Sequence, residues 1–526
     1  MKASKSNYTR YILPENTAKK HLLDILKSCF VVKEVENITE KFAILDSFEW
    51  GLYSRDMMAI RHENNDISLW NEDDLLDPDL AMKIDNSDAA SRFWWDFPDS
   101  PAKAILQDTL KLRALCPVYE GLLKIEQFNL QDNDGKILVY CQLLSIFDPD
   151  KPRIALMRQA KLMPLTGYHN ENTQAIELLQ QLGGFIPSLG PLDSLLSAIG
   201  ISPQPYTVKP KLSISPDMPA RSAASSIIST MIEKQRLTEQ GIIKDIDTEF
   251  LHHFRVALRM VRAAIAQLKE VFPEADVVQL KERFGSLGRE TNHLRDLDVF
   301  IMDKERYMNL LPDSLRNGLL PMFSDFEQDR ATEVKRIAQW LSSKTYQQEI
   351  EQLQSLFDNG YSALETQWSE KPSIELAVKK ILKRYKKIQK TAASITTETP
   401  DEAIHSIRID CKKLRYLLYF FGGLFEQKQI KTVGNHLKTL QDKLGVFNDL
   451  TVQGEFLEKY LYEIEHKPKK DIMLIASLGG LISILYTIQK KERKRCIKEL
   501  GVFSNAENRQ LFKETFVIQS LDYTQP

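Results

Sequence analysis

His252, Arg255, Arg259 and Arg262 recur as His405, Arg408, Lys412 and Arg415, with the same steps of three, four and three residues. On an α-helix at ~100° per residue, each set falls within an arc of roughly 80° and makes a stripe about 15 Å long. Arginine offers a two-pronged donor fork to phosphate or carboxylate oxygens, lysine a point charge, and histidine a donor whose charge follows pH. The chemistry this allows is recognition of a polyanion. One basic amphipathic helix would be read as a solvated face, but two copies with the histidine kept in register argue against that. Val256, Leu258 and Val261 in the first copy, and Ile407, Ile409 and Leu414 in the second, fall between the stripe residues and are expected to face a core.

Cations crowd two further segments. VKKILKRYKKIQK (378–390) carries Lys379, Lys383 and Lys387 among seven cations, and QKKERKRCIK (489–498) carries Lys490, Arg493 and Lys494. Like charges one helical turn apart repel, so several in successive helices suggest an anion that offsets the repulsion. Seven cations on one helix cannot all face one partner, however, and some must be solvated. Asp296, Asp298 and Asp449 are expected to orient the arginines or cap helices. No aromatics interleave with the stripes, which gives no support to stacking of single-stranded bases. The chain holds no Walker loop, GxGxxG, HExxH or GxSxG. No catalytic residue, metal or cofactor is therefore expected.

The elements that must position these residues divide the 526-residue chain in two. Residues 1–210 hold 22 Lys+Arg against 29 Asp+Glu, and residues 211–526 hold 48 against 43, an asymmetry hidden by the net charge of −2. Five scattered cysteines without CxxC spacing point to a reducing compartment. The first residues show no apolar signal segment. The uncharged run from Ile472 to Ile488 is at the short limit for a membrane span, and a buried helix is expected.

Up to about residue 200 the pattern is mixed. TAKKHLLDILKSCF (17–30) and NTQAIELLQQLGG (172–184) read as helices, the first with Leu22, Ile25, Leu26 and Cys29 on one face. KFAILDSFEWGLY, MMAIRHE and DISLW read as strands, and Asp132-Asn133-Asp134-Gly135 as the turn of a hairpin. A sheet or small barrel with helices at its ends is expected. Five prolines between residues 201 and 220 mark a boundary, after which long amphipathic helices take over. Thr399-Pro400-Asp401-Glu402 reads as a capping box at the start of the second stripe helix. Lys281 and Gly288 match Lys438 and Gly445, and Asp296-Leu297 matches Asp449-Leu450 after a four-residue insertion in the first copy. The second part is thus a tandem duplication.

The HxxRVxxRxxR pattern, the RDLDV that follows (295–299) and the second HxxRxxxKKLRY (405–416) resemble the CHAD domain, a family of conserved-histidine α-helical domains. Met260 stands where many members have a second arginine. The resemblance implies two pseudo-symmetric helical bundles (about 221–345 and 371–515) with a basic cleft that binds inorganic polyphosphate without catalysis. It places His252, Arg255, Arg259, Arg262, Lys281, His405, Arg408, Lys412, Arg415 and Lys438 in that cleft. Arg289 and the α-helical cations Lys379, Lys383, Lys387, Lys490, Arg493 and Lys494 complete the expected site. DSFEWGLYSRDMMAIRHE (46–63), with FWWDFP (93–98), is similar to the strand–turn–strand of CYTH domains, the triphosphate-tunnel fold. That resemblance makes Arg61 the phosphate-contacting arginine, with Trp94 and Trp95 as packing residues. The family's metal-holding ExExK is missing from NYTRYILPENT, so a degenerate, inactive domain is expected. The expected fold is therefore α+β: a CYTH-like β domain (1–200), a linker (201–220) and an all-α CHAD domain (221–515). The expected function is non-catalytic polyphosphate binding in the cytoplasm, at polyphosphate granules, with neither membrane nor nucleic acid as partner. The alternatives are a metal-dependent triphosphatase and a binder of nucleic acid or acidic protein.

Overall fold

In the computed structural model the chain separates into two units between Thr207 and Val208, inside the proline-rich stretch. The structure describes residues 8–518 except 73–74, 76–79, 87, 153, 187–189, 359, 362–365 and 466–470. Residues 1–7, part of the expected first domain, lie outside that set.

The first unit is an antiparallel sheet of eight strands: β1 (Thr9–Leu13), β2 (Val31–Asp46), β3 (Met57–His62), β4 (Ile67–Asn71), β5 (Met82–Ile84), β6 (Cys116–Gln131), β7 (Ile137–Phe147) and β8 (Ala155–Pro164). Their order is β1-β8-β7-β6-β2-β3-β4-β5. Four helices accompany them: α1 (Lys19–Leu26), α2 (Pro101–Leu110), α3 (His169–Gln181) and α4 (Pro191–Ala198). Because side chains alternate across a strand, the sheet has two distinct faces. On one, α1 and α3 bury Leu22, Leu26, Leu178 and Leu179 against Phe128, Cys141 and Leu162, while α2 packs Leu106 and Leu110 against Leu45, Ala59 and Leu69. On the other, α4 sets Leu192, Leu195 and Leu196 against Ile44, Ile60, Leu144 and Met157.

The expected hairpin is the β6–β7 pair, with Gly135 at φ +80° and the Asp132 carboxylate accepting from the amides of Asp134 and Lys136. The first half of β2 and all of β8 were not anticipated. Residues 31–39 are mostly solvent-exposed and lack the apolar alternation that marks a half-buried strand, and it is pairing with β6 that makes them extended. Cys29 is exposed, so α1 buries a narrower face than its periodicity suggests.

The second unit is helical: α5 (Ala220–Arg236), α6 (Glu239–Ile243), α7 (Thr248–Gln267), α8 (Glu274–Glu290), α9 (Asn292–Met302), α10 (Lys304–Leu310), α11 (Asp313–Arg316), α12 (Leu320–Leu341), α13 (Lys344–Asp358), α14 (Ser373–Ser394), α15 (Asp401–Phe421), α16 (Gln427–Glu465), α17 (Ile472–Phe503) and α18 (Ala506–Lys513). The duplication is exact in register. α14, α15 and α16 begin 153 positions after α5, α7 and α8, and the 3₁₀ turns Lys269–Val271 and Gly422–Leu424 keep the same offset. Pro219 and Pro372, also 153 apart, bridge the starts of α5 and α14. This register pairs Asp296 with Asp449 without any insertion, and it sets Lys281 opposite Gly434. The match of Lys281 to Lys438 is displaced by four residues, close to one helical turn, and so keeps the same face. The real difference between the copies is a break. α8 ends and α9 restarts at Thr291, whereas α16 runs unbroken for 39 residues.

The expected capping box is absent. α15 begins after Pro400 with no side-chain cap, and the Thr399 hydroxyl accepts from the Thr396 amide instead. Arg493 of α17 braces the segment leading into the helix, donating to the Thr397 and Thr399 carbonyls and to Asp401 at 2.8 Å. α17 is also not fully buried. Leu474, Leu478, Leu481 and Leu485 enter a core with Leu297, Phe300, Phe323, Phe326 and Leu457, but Ile472 and Tyr486 are 78% and 57% exposed. Among the described residues it is the one helix long and apolar enough to cross a membrane.

Candidate functional site

α7 and α15 each turn one face inward. Leu258 and Val261, and Ile407 and Leu414, are buried as their spacing predicts, while Val256 is half-buried and Ile409 is exposed. The helices meet where the Gln267 side chain donates to the Lys413 carbonyl at 3.0 Å. Their stripes therefore act on one another across the join. Burial, then Arg408 and Arg259, lowers the pKa of Lys412 to about 8. Burial and the neighbouring Asp449 and Arg259 act on Arg408, with a net lowering. Arg259, from α7, thus sits close enough to two cations of α15 to oppose their charge, and Arg259 and Arg415 are themselves exposed.

Corresponding arginines are braced differently. Arg255 donates to the Gly288 carbonyl at 3.3 Å, the Thr291 hydroxyl at 2.8 Å and the Asn292 side chain at 2.9 Å, spanning the α8–α9 break. Burial and Arg259 depress its pKa to about 10. Arg408, facing the unbroken α16, has the Asp449 carboxylate at 3.5 Å. Arg262 crosses α8 at Gly288, where an added β-carbon would lie 3.2 Å from its guanidinium. His405 donates from Nδ1 to Asn448 Oδ1 at 2.7 Å, because an amide oxygen can only accept, and this leaves Nε2 open. His252 is half-buried, its ring 5.8 Å from that of His253.

Two further cations, which the spacing pattern missed, lie beside the stripes. Arg295, at the position corresponding to Asn448, is pulled below its ordinary pKa mainly by burial, with Arg259 adding to the effect. Its NH1 and the Nε of Arg408 are buried nitrogens without a hydrogen-bond partner. Lys209 lies beside Arg415, and burial and that neighbour lower its pKa. The RDLDV motif contained the signal for Arg295. Nothing in the sequence pointed to Lys209.

The remaining expected residues are dispersed. Lys281 and Lys438 are exposed on α8 and α16, and Arg289 is tied to Glu282 at 2.5 Å. Lys387 and Arg384 bind the buried Asp410 carboxylate at 2.9 and 2.5 Å, on the face of α15 opposite its stripe. Lys379 stands 3.7 Å above the Trp368 ring, and Lys383 is exposed. Lys490 lies over Tyr486, Lys494 is exposed, and Arg493 holds the start of α15. Asp298 is 1% exposed and receives Arg330 at 2.7 Å, while Arg330 also grips Asp245 with both terminal nitrogens.

In the first unit Arg61 points to the face that carries α2, where it donates to the Ser91 carbonyl at 3.0 Å. Trp94 donates to the Lys111 carbonyl, and Trp95 stacks on Phe93 while remaining 45% exposed.

Residues 226–458 match the family model of the CHAD domain. Uncharacterized proteins from two strains of Mycobacterium tuberculosis are each 23% identical over 232 residues, 44% of this chain and 44% of theirs. The chain thus spans less than half the length of the curated relatives it matches. A crystal structure of the CHAD domain from the plant Ricinus communis aligns over 56% of this chain and 95% of its own, with 23% identity and a TM-score of 0.47. PptA from Streptomyces chartreusis aligns over 53% and 99%, with 11% identity and a TM-score of 0.42.

Proposed function

Starting from a CHAD domain over residues 226–458, we propose that the helical unit binds inorganic polyphosphate in the groove between α7 and α15 and does not turn it over. The observation that carries this reading is the mutual action of Arg259, Arg408 and Lys412 across the two helices. Cations held close enough to depress one another raise the free energy of the empty groove. A linear polyanion relieves that repulsion along the whole stripe. No metal enters this reading, and neither does a membrane. The first unit is assigned no triphosphatase activity, since β1 reads TRYIL and has no acidic pair to hold a divalent cation. The proposed site of action is the cytoplasm, at polyphosphate granules.

Calorimetric titration with polyphosphates of graded length provides the test. Affinity should climb with chain length until the groove is spanned and then level off, and duplex DNA at equal salt should compete poorly. DNA binding as tight as that of polyphosphate would replace this reading with a general polyanion binder.

A further inference from the structure

On the sheet face of the first unit that carries α4, three adjacent strands bring together side chains that no local motif connects. The Ser68 hydroxyl of β4 lies 2.8 Å from His62 Nε2 of β3, and His62 Nδ1 lies 3.0 Å from Glu40 Oε1 of β2. A carboxylate only accepts, so the imidazole proton sits on Nδ1. Nε2 is then bare and faces the hydroxyl. Ser68, His62 and Glu40 line a cavity of about 600 Å³ together with the apolar Ile38, Trp70, Leu123 and Ile125 and the acidic Glu63, Asp66 and Asp85. Lys83, registered directly opposite Ser68 on β5, lines the same cavity.

We propose that Ser68, His62 and Glu40 are a nucleophile, base and orienting carboxylate that hydrolyse small uncharged or cationic carboxylic esters. Ser68 Oγ attacks the ester carbonyl carbon as its proton passes to His62 Nε2, and the carbonyl electron pair moves onto oxygen beside the Lys83 ammonium. The ester C–O bond then breaks, and His62 returns the proton to the leaving alkoxide, releasing the alcohol. A water, giving its proton to His62, attacks the acyl carbon; the acyl–Oγ bond breaks, His62 returns the proton to Ser68 Oγ, and the carboxylic acid leaves. The net reaction is ester plus water to acid plus alcohol. Glu40 fixes the imidazole tautomer and offsets the charge of the imidazolium. The apolar lining suits a short alkyl or aryl group, and the acidic residues of the lining repel anionic esters. This inference is independent of the polyphosphate binding proposed for the other unit.

The alternative is a buried hydrogen-bond chain that only satisfies Ser68 and His62. The full-length protein, incubated with a fluorophosphonate and with 4-nitrophenyl acetate, separates the two. The proposal expects one adduct per chain, mapped by peptide mass spectrometry to Ser68, and turnover that rises as the imidazole deprotonates. Ser68→Ala should abolish both. Glu40→Gln, which keeps a hydrogen-bond partner for Nδ1, should lower turnover by about 10²-fold or more with the melting temperature unchanged. Absence of a Ser68 adduct on wild-type protein, or turnover equal in Ser68→Ala, overturns the proposal. Because Glu40→Gln is read beside its melting temperature, loss of folding is distinguished from loss of catalysis.

Discussion

Lys412 is the residue at which the proposed binding would couple to proton uptake. Burial and the arginines around it favour the neutral amine, so its pKa in the free protein falls to about 8. A polyanion laid along the stripe favours the ammonium and returns that pKa toward its ordinary value. Affinity should therefore be greatest below pH 8 and decline as pH rises through about 8, with proton uptake on binding measurable by calorimetry in buffers of different ionisation enthalpy. Lys412→Met should flatten that decline, and His405→Gln should leave it in place. Arg255 and Arg408 make a second comparison. Either one changed to Ala should weaken polyphosphate binding by about 1–3 kcal/mol, the scale of a charge-assisted contact, and the double variant should lose more. Their effects on folding should differ, since Arg255 holds three groups around the α8–α9 break and Arg408 has one distant carboxylate. Only Arg255→Ala should lower the melting temperature appreciably. Full binding by either single variant would rule out a groove shared by both copies.

Between elements, buried ion pairs decide how the helices dock. Arg330 of α12 ties α9, through Asp298, to the turn after α6, through Asp245. Asp298 is almost wholly buried, and burial already pushes its pKa up against the pull of Arg330. Arg330→Ala removes the hydrogen-bonded partner of that carboxylate, leaving it only the weaker pull of Arg295, and should cost about 3–5 kcal/mol, read as a lower midpoint in urea unfolding. A loss under about 1 kcal/mol would mean that water or another cation reaches Asp298. Asp410 plays a comparable part between α14 and α15, gripped by Arg384 and Lys387. That is why two of the cations on α14 hold helices together and leave the groove to others. Arg493 does the same for α15, where a distant guanidinium satisfies carbonyls at the start of the helix.

Across the whole molecule the charge is divided by unit, acidic before residue 210 and basic after it. The polyanion should therefore respond to the local field of the helical unit and not to a net charge near zero. Binding through several Lys and Arg releases counterions. Log affinity should accordingly fall in a straight line with log salt concentration, as it does for nucleic acids. A titration series from low to physiological salt measures the slope, and a slope near zero would mean that few of the groove cations touch the ligand.

The sequence by itself determined the duplication, the two stripes, the change from strands to helices near the prolines, and the β6–β7 hairpin. Each of these rests on a local period or a turn residue, which a single segment carries without its neighbours. Periodicity also specifies which face of a helix is polar, but not what that face meets. Lys387 and Arg408 are equally basic in the sequence, yet one meets the buried Asp410 and the other Asp449 of α16. A shift of four residues preserves a helix face, so the match of Lys281 to Lys438 read as well as the true register until the helix starts were placed. Strand parity worked the same way on Arg61 and His62, neighbours in the chain that point to opposite faces of the sheet. Arg295, Lys209 and the Ser68–His62–Glu40 chain come from segments that only folding brings together. Their chemistry depends on distance and burial, and those are properties of the tertiary structure alone.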